Sequence, residues 1–301
     1  MLRKTFLKSL CALILIAIFH SGFAQNQPDT LRLFLIGNSF SHNAGRYLPE
    51  LALEGNHPLV IGRAELGGCS LQRHWELAEL AEKSPDDANA KPYKGKSLRM
   101  LLSEGKWDIV TIQQNSMNSG DPATYRPYAK KLYDYIKMLQ PNARIVMHQT
   151  WAYRSDSKDF SQVAPKQFAK SEKEMWQKSR AAYRSVASEL GIELMPVGDA
   201  FWKVSSGKQG FRKDPEFDEQ KAVYPALPVQ KNSLHQGYYW DKNKKIMFDS
   251  HHANEAGCFL GSLVWYTFLF NESPEKLTFT PQGVPADFGQ YLKKVARKTV
   301  K

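Results

Sequence analysis

Apolar and polar positions change period repeatedly along the chain. Short apolar runs at 31–36, 59–63, 109–113, 144–148 and 192–197 alternate with longer stretches of helical spacing at 47–54, 71–83, 97–104, 125–139, 166–190 and 254–270. A short continuous apolar run suits a strand buried on both faces, and an amphipathic stretch supplies the cover. Their alternation predicts βα units around a parallel sheet, and five strands with intervening helices predict a doubly wound open α/β sheet. In the 254–270 helix, Cys258, Leu260, Leu263, Val264, Tyr266, Thr267 and Phe270 provide a broad apolar face. No repeat of solenoid or propeller period interrupts this rhythm.

Two segments depart from it. Residues 84–96 are polar and read as a surface loop. Residues 206–248 carry Pro215, Pro225 and Pro228 with Tyr224, Tyr238, Tyr239 and Trp240. So long an insertion is expected to be a lid or binding loop, and its place before the last helix suits it to shaping a cleft. No Ser/Gly/Pro-rich linker divides the chain, so 25–301 reads as a single domain with this insertion. At 42% hydrophobic and 12% aromatic residues it can bury one large core.

The N-terminus is set apart from that domain. Arg3, Lys4 and Lys8 precede an apolar stretch at 10–19 and the small-residue pattern Gly22-Phe23-Ala24. This predicts a signal peptide over 1–24, cleavage after Ala24 and a periplasmic or secreted location, with no stable membrane insertion afterwards. Removing those three basic residues lowers the formal charge from +11 to +8. The remaining cations are dispersed, with one denser run at Lys293, Lys294, Arg297, Lys298 and Lys301, and no nucleic-acid motif accompanies them, so no nucleic-acid partner is expected. Cys69 and Cys258 are too few for a disulfide scaffold, and whether they meet is open at this level. The sequence says nothing of oligomeric state.

In an open parallel sheet, ligands bind beyond the carboxyl ends of the strands. The first strand is followed by Gly37-Asn38-Ser39-Phe40-Ser41, the second by Leu66-Gly67-Gly68-Cys69, the third by Gln113-Gln114-Asn115-Ser116, and the last helix is preceded by Asp249-Ser250-His251-His252-Ala253-Asn254. A serine hydroxyl becomes a nucleophile when an imidazole takes its proton, and the imidazole needs a carboxylate to fix its tautomer. Ser39, His252 and Asp249 are therefore the candidate nucleophile, base and acid, with the last two three residues apart in a turn expected to lead into the helix. His252 is preferred to His251 on that spacing. Asp199 is expected to cap the helix after the fifth strand and is the reserve acid. The backbone N–H groups of Ser39 and Gly68 and the Asn115 amide are candidate oxyanion donors, with Gln113 or Gln114 as alternatives to Asn115. Asn38, His148, Trp151 and Tyr153 are candidate substrate contacts. No His-x-x-x-His or Cys/His set is present, so no metal is expected.

This set of blocks resembles the SGNH (GDSL-like) hydrolases, and especially an exported branch known only as a domain of unknown function, in which Gly-Asn-Ser-Phe replaces Gly-Asp-Ser. The resemblance runs from Leu31 to Phe270. Ser39 matches the first block, Gly68 the second, and Asp249 with His252 the terminal Asp-x-x-His block. The third departs, since Gly-x-Asn-Asp is usual where this chain has Gln113-Gln114-Asn115-Ser116. The resemblance implies a flavodoxin-like three-layer α/β/α sandwich with a five-stranded, mainly parallel sheet, no cofactor, and ester or acetyl-ester hydrolysis. Export, the aromatic insertion and family analogy point to a carbohydrate ester, small or polymeric. The competing expectations are a lipid or lysophospholipid esterase and a non-catalytic glycan-binding protein.

Overall fold

The computed structural model of the protein describes residues 29–300. The segment read as a signal peptide lies outside them. In chain order the first half contains β1 (Leu31–Gly37), α1 (Ser39–Ala44), α2 (Leu48–Glu54), β2 (Leu59–Glu65), α3 (Leu71–Lys83), α4 (Leu98–Leu102), β3 (Ile109–Ile112), α5 (Tyr128–Leu139) and β4 (Arg144–His148). A small hairpin follows, β5 (Gln162–Ala164) and β6 (Gln167–Phe168), then α6 (Glu172–Leu190), β7 (Glu193–Met195) and α7 (Val197–Ser205). The chain ends with a second hairpin, β8 (His235–Trp240) and β9 (Ile246–Ala253), then α8 (Glu255–Phe270) and α9 (Ala286–Val300).

The central sheet is parallel throughout, in the order β2-β1-β3-β4-β7. Alternate residues of one strand feed opposite cores. Leu33 and Leu35 join the cluster containing Phe40, Phe201, Phe259, Leu263 and Leu292, while Phe34 and Ile36 join Leu71, Leu98, Leu132, Ile136 and Val186. Helices thus cover both faces, giving the expected flavodoxin-like three-layer sandwich. After β2 the chain crosses back and adds β3 on the other side of β1. This reversal opens a crevice beyond the carboxyl ends of β1 and β3, where Ser39 and Asn115 begin the next segments.

Helix starts follow local chemistry. The 166–190 expectation is shortened because Lys166, at φ 60°, turns the β5–β6 hairpin. The helix then begins after Ser171, whose side chain accepts the Glu174 N–H while Glu174 accepts the Lys170 N–H. The α8 helix is buried almost all round over residues 256–267, because α9 covers the side turned away from the sheet. Its Gly261 permits close approach to α1: a Cβ there would lie 2.8 Å from Ala44 Cα. The C-terminal basic run belongs to α9, which buries Phe288, Leu292, Val295 and Ala296 while Lys294 and Lys298 stay exposed. Lys293 is fully buried too, and its Nζ donates to Leu277 O at 2.6 Å. Cys69 and Cys258 are both buried and unpaired, and burial pushes their thiols up to about 12 and about 11. Among the described residues, no helix is long and apolar enough to cross a membrane.

The 206–248 insertion is held by a buried cation. Arg154 follows β4 and is 2% exposed; its Nε and Nη2 donate to Asp156 at 2.7 and 2.9 Å, and its Nη1 donates to Gln230 at 2.7 Å. Phe211, Tyr238 and Phe248 stand around the guanidinium at 4.3, 5.7 and 5.0 Å. Truncating it leaves the Asp156 carboxylate buried without its partner. Arg154→Ala is therefore expected to lower the free energy of unfolding by about 3 to 5 kcal/mol, read from urea denaturation. A loss below about 1 kcal/mol, the usual worth of an exposed pair, would contradict this role.

Candidate active site

Ser39 is the first residue of α1, placed there by Asn38. The Asn38 side chain caps the helix by accepting the Phe40 N–H at 3.0 Å, and the strand-to-helix turn aims the Ser39 hydroxyl into the crevice. His252 Nε2 lies 3.0 Å from Ser39 Oγ, and His252 Nδ1 lies 2.7 Å from Asp249 Oδ2. A carboxylate only accepts, so Nδ1 carries the proton and Nε2 is free to accept from the serine. Burial pushes the Asp249 carboxyl upward, but the His252 ring, the N–H groups of His252 and His251, and the His251 charge outweigh it and hold the group well below the usual carboxylate range. The neighbouring Ser41 is buried, its Oγ 2.6 Å from Glu65 Oε1 and 2.8 Å from Asn38 O, and is not presented to the cleft.

Asp249 and His252 do not sit in a turn at the helix start, as expected from sequence. Both belong to β9, and a bulge brings them together. Gly237 of β8 pairs with Asp249 and His235 pairs with Ala253, so two steps on one strand face four on the other. The surplus residues find their partners elsewhere. Asp249 Oδ1 accepts the N–H groups of His251 and His252 at 3.0 and 2.9 Å; Ser250 O accepts the Arg154 N–H at 2.8 Å; His251 O accepts the Trp151 indole N–H at 2.9 Å. Asn254, one residue beyond β9, caps α8 through the Gly257 N–H.

The far side of Ser39 carries donors. Gly68 is the third residue of a Leu66–Cys69 turn closed by Cys69 N–H to Leu66 O, and its φ of +63° suits a residue without Cβ. Among the described residues, the Gly68 and Ser39 N–H groups have no acceptor. Asn115 Nδ2 donates one hydrogen to Gly68 O at 3.1 Å and keeps a second. The alternatives are committed elsewhere. Gln113 Nε2 donates to Asn38 Oδ1 at 2.7 Å while its Oε1 is held by His148 Nδ1; Gln114 Nε2 donates to Thr124. Asn115 is the amide that reaches the cleft.

Other candidates stand behind the site. His148 is fully buried, edge-on to Trp265, because Gln113 draws its Nδ1 inward. Trp151 is sandwiched between Phe40 and Phe201 at 4.2 and 4.4 Å. Neither lines the cleft. Asn38 touches it while joining Cys69 O, Phe40 and Gln113, and Tyr153 reaches it beside Ser116, with its hydroxyl 3.0 Å from Ser116 Oγ. Asp199 is no helix cap: it accepts from Gln149, Trp176, Arg180 and Arg184, with no contact to His252. The insertion lines neither cavity at Ser39: Phe211, Phe217 and Tyr238 close over Arg154, and Tyr224 packs against Trp240.

Two cavities meet at Ser39. One, about 270 Å³, contains Gly68, Asn115, Met117, Tyr153 and His252. The other, about 530 Å³, is lined by His42, Arg63, Glu65, Tyr93, Lys94 and Lys96. Three of these come from the 84–96 segment, read from sequence as surface loop; its length without secondary structure was the available signal. Tyr93 returns to the cleft because its hydroxyl bonds His74 Nδ1 at 2.8 Å.

Burial lowers the pKa of His148 to about 3 and of His74 and His235 to about 4, while the unfolded rings titrate near about 6.5. Between those values the unfolded chain binds more protons, so the stabilising contribution is complete above about 6.5 and is lost as pH falls. The depressed Asp249 adds a loss of the same sign at lower pH. The thermal midpoint is expected to drop between about pH 7 and pH 5, measured by circular dichroism, whereas a level midpoint contradicts the buried neutral histidines.

The fold is shared with a solved protein of the DUF4886 family from Bacteroides uniformis, at 21% identity and a TM-score of 0.70, over 90% of this chain and 95% of that one. Looser matches are a proposed SGNH hydrolase from Slackia heliotrinireducens, at 20% identity and a TM-score of 0.46 over 79% of this chain and 97% of that one, and the acetyl xylan esterase AlAXEase, at 11% and 0.46 over 79% and 98%. No curated protein matches the sequence. The profile of DUF4886, a domain of unknown function, matches residues 32–219, and the chain belongs to that family.

Proposed function

We propose that this protein is a serine hydrolase of carboxylic esters that removes short acyl groups, acetyl above all, from a carbohydrate. The observation that carries this reading is the unbroken contact from Ser39 Oγ through both His252 nitrogens to Asp249, with unpaired donors across the crevice. His252 Nε2 takes the hydroxyl proton as Ser39 Oγ attacks the ester carbonyl. The oxyanion forms toward the Ser39 and Gly68 N–H groups and the second hydrogen of Asn115 Nδ2. The imidazolium gives its proton to the departing alkoxide, leaving acyl-Ser39 and a free alcohol. Water then repeats the sequence, with its proton passing to Nε2, and releases the acid and the serine. Asp249 remains ionised throughout and stabilises the charged ring.

The acyl preference rests on the smaller cavity beside the donors, bounded by Met117 and Tyr153. The alcohol preference rests on the larger one, where His42, Arg63, Glu65, Tyr93 and Lys94 offer donors and acceptors for hydroxyl groups. The basic, apolar and small-residue pattern of the first 24 residues supports action outside the cytoplasm.

Three variants read on p-nitrophenyl acetate test the assignment. Ser39→Ala is expected to abolish turnover and labelling by a fluorophosphonate. Asp249→Asn should lower kcat by about 10⁴, through the wrong imidazole tautomer. Asn115→Ala should lower it by about 10² to 10³ with little change in KM. Turnover that survives Ser39→Ala sinks the proposal, and a preference for long acyl chains moves the substrate to a lipid.

A further inference from the structure

One imidazole in the crevice has no part in this reaction. His251 makes no side-chain hydrogen bond among the described residues, although its Nδ1 stands 3.1 Å from Asp249 Oδ1. Its ring lies against that of His252, with centroids 4.2 Å apart and planes inclined by 46°. The His252 Nδ1 faces the other oxygen of the same carboxylate at 2.7 Å. Two imidazole nitrogens and a carboxylate thus converge with their donor atoms within 4.8 Å of one another. Both rings are about two-fifths exposed and border the smaller cavity, which leaves an approach for an ion and room for water as a further ligand.

We propose that Asp249, His251 and His252 form an inhibitory site for a divalent transition ion of the zinc class. Two nitrogens and one carboxylate oxygen, with an open fourth position, are a donor set that zinc accepts in tetrahedral geometry, whereas magnesium and calcium favour all-oxygen ligands. Ligand atoms around such an ion stand about 3.3 Å apart, given bonds of about 2.0 to 2.1 Å. The present separations close to that value by small rotations of two half-exposed rings. The bulge is what makes the set: an Asp-x-His-His run in a regular strand would send His251 and His252 to opposite faces. Ligation through Nδ1 leaves the neutral His252 ring with its proton on Nε2, the nitrogen that faces Ser39, and occupies the carboxylate that orients the ring. The serine then loses its base while its own position is unchanged.

The binding stands on geometry alone; the inhibition rests on the esterase reading, and the experiment separates the two. Chelator-treated Ser39→Ala protein, which keeps all three ligands, is titrated calorimetrically with zinc chloride. In parallel, turnover of p-nitrophenyl acetate by the wild type, His251→Phe and His251→Ala is followed against zinc concentration, with EDTA added at the end. The expected result is one zinc per chain, EDTA-reversible inhibition of the wild type, and an inhibition constant raised about tenfold or more in both His251 variants. His251→Phe keeps a ring against Tyr153 and removes the donor, so agreement between the two variants excludes a packing effect. Absence of zinc binding, or equal inhibition with and without His251, overturns the proposal. Zinc binding by a wild type that hydrolyses no ester leaves the site standing and removes the esterase reading instead.

Discussion

The arrangement at the crevice depends on one carboxylate and the four hydrogen-bond partners it collects or makes necessary. A strand with surplus residues cannot pair them with its neighbour, and unpaired buried backbone groups cost about 1 to 3 kcal/mol each. In β9 four such groups are answered. Asp249 takes the N–H groups of His251 and His252, and the segment after β4 supplies the Arg154 N–H to Ser250 O and the Trp151 indole to His251 O. Satisfying the backbone in this way leaves the second oxygen of Asp249 facing His252 Nδ1. The carboxylate that stabilises the bulge also positions the His252 ring.

The serine is fixed by a separate network. Asn38 joins the first strand's turn to Cys69 O and to Gln113, and Gln113 continues to His148 beneath Trp265. Every member is buried, so each hydrogen bond is strong and each loss is expensive. His148 Nε2 ends the network without a partner, which an apolar surrounding tolerates only in a neutral ring. Positioning a nucleophile by buried amides rather than by surface contacts makes its location insensitive to the mobile ends of long side chains.

The parts legible in sequence share a physical property: their signal lies within a few consecutive residues. Strands buried on both faces show as apolar runs, and α3 is bounded correctly because Ser70 caps its start through the Arg73 N–H. The blocks after β1 and β2 were visible because a Gly-Asn-Ser turn and paired glycines carry their own backbone preferences. The α9 helix was hidden by its cations, although Phe288, Leu292, Val295 and Ala296 fall at helical spacing. The bulge was invisible for a different reason: whether a strand is regular depends on its partner's register, and nothing local in Asp249-Ser250-His251-His252 states it. The same applies to Gln113, Gln114 and Asn115, which are alike in chemistry and are distinguished by what the neighbouring loops demand. His148 and Trp151 were placed at the right strand end but on the wrong side of the wall, because an aromatic after a strand packs as readily as it lines a cleft.

On the esterase reading, the two cavities divide the labour of the site according to where charge appears. On the proposed ester chemistry, charge develops on the carbonyl oxygen, and the donors of Gly68 and Asn115 face the smaller space. The departing group only has to be protonated and released, and the larger space beside Ser39 mixes the exposed side chains of His42, Lys94 and Lys96 with buried Tyr93 and Leu101. Glu65 is held at 11% exposure by Arg63 and Ser41 at the edge of that space. A buried carboxylate already paired with a guanidinium adds little net field at the serine, yet it offers fixed lone pairs to hydroxyl groups. In the proposed reaction, polar discrimination among alcohols would therefore fall to the Arg63–Glu65 wall, and rate enhancement to the Gly68–Asn115 wall. The Ser39 hydroxyl stands on the line between them.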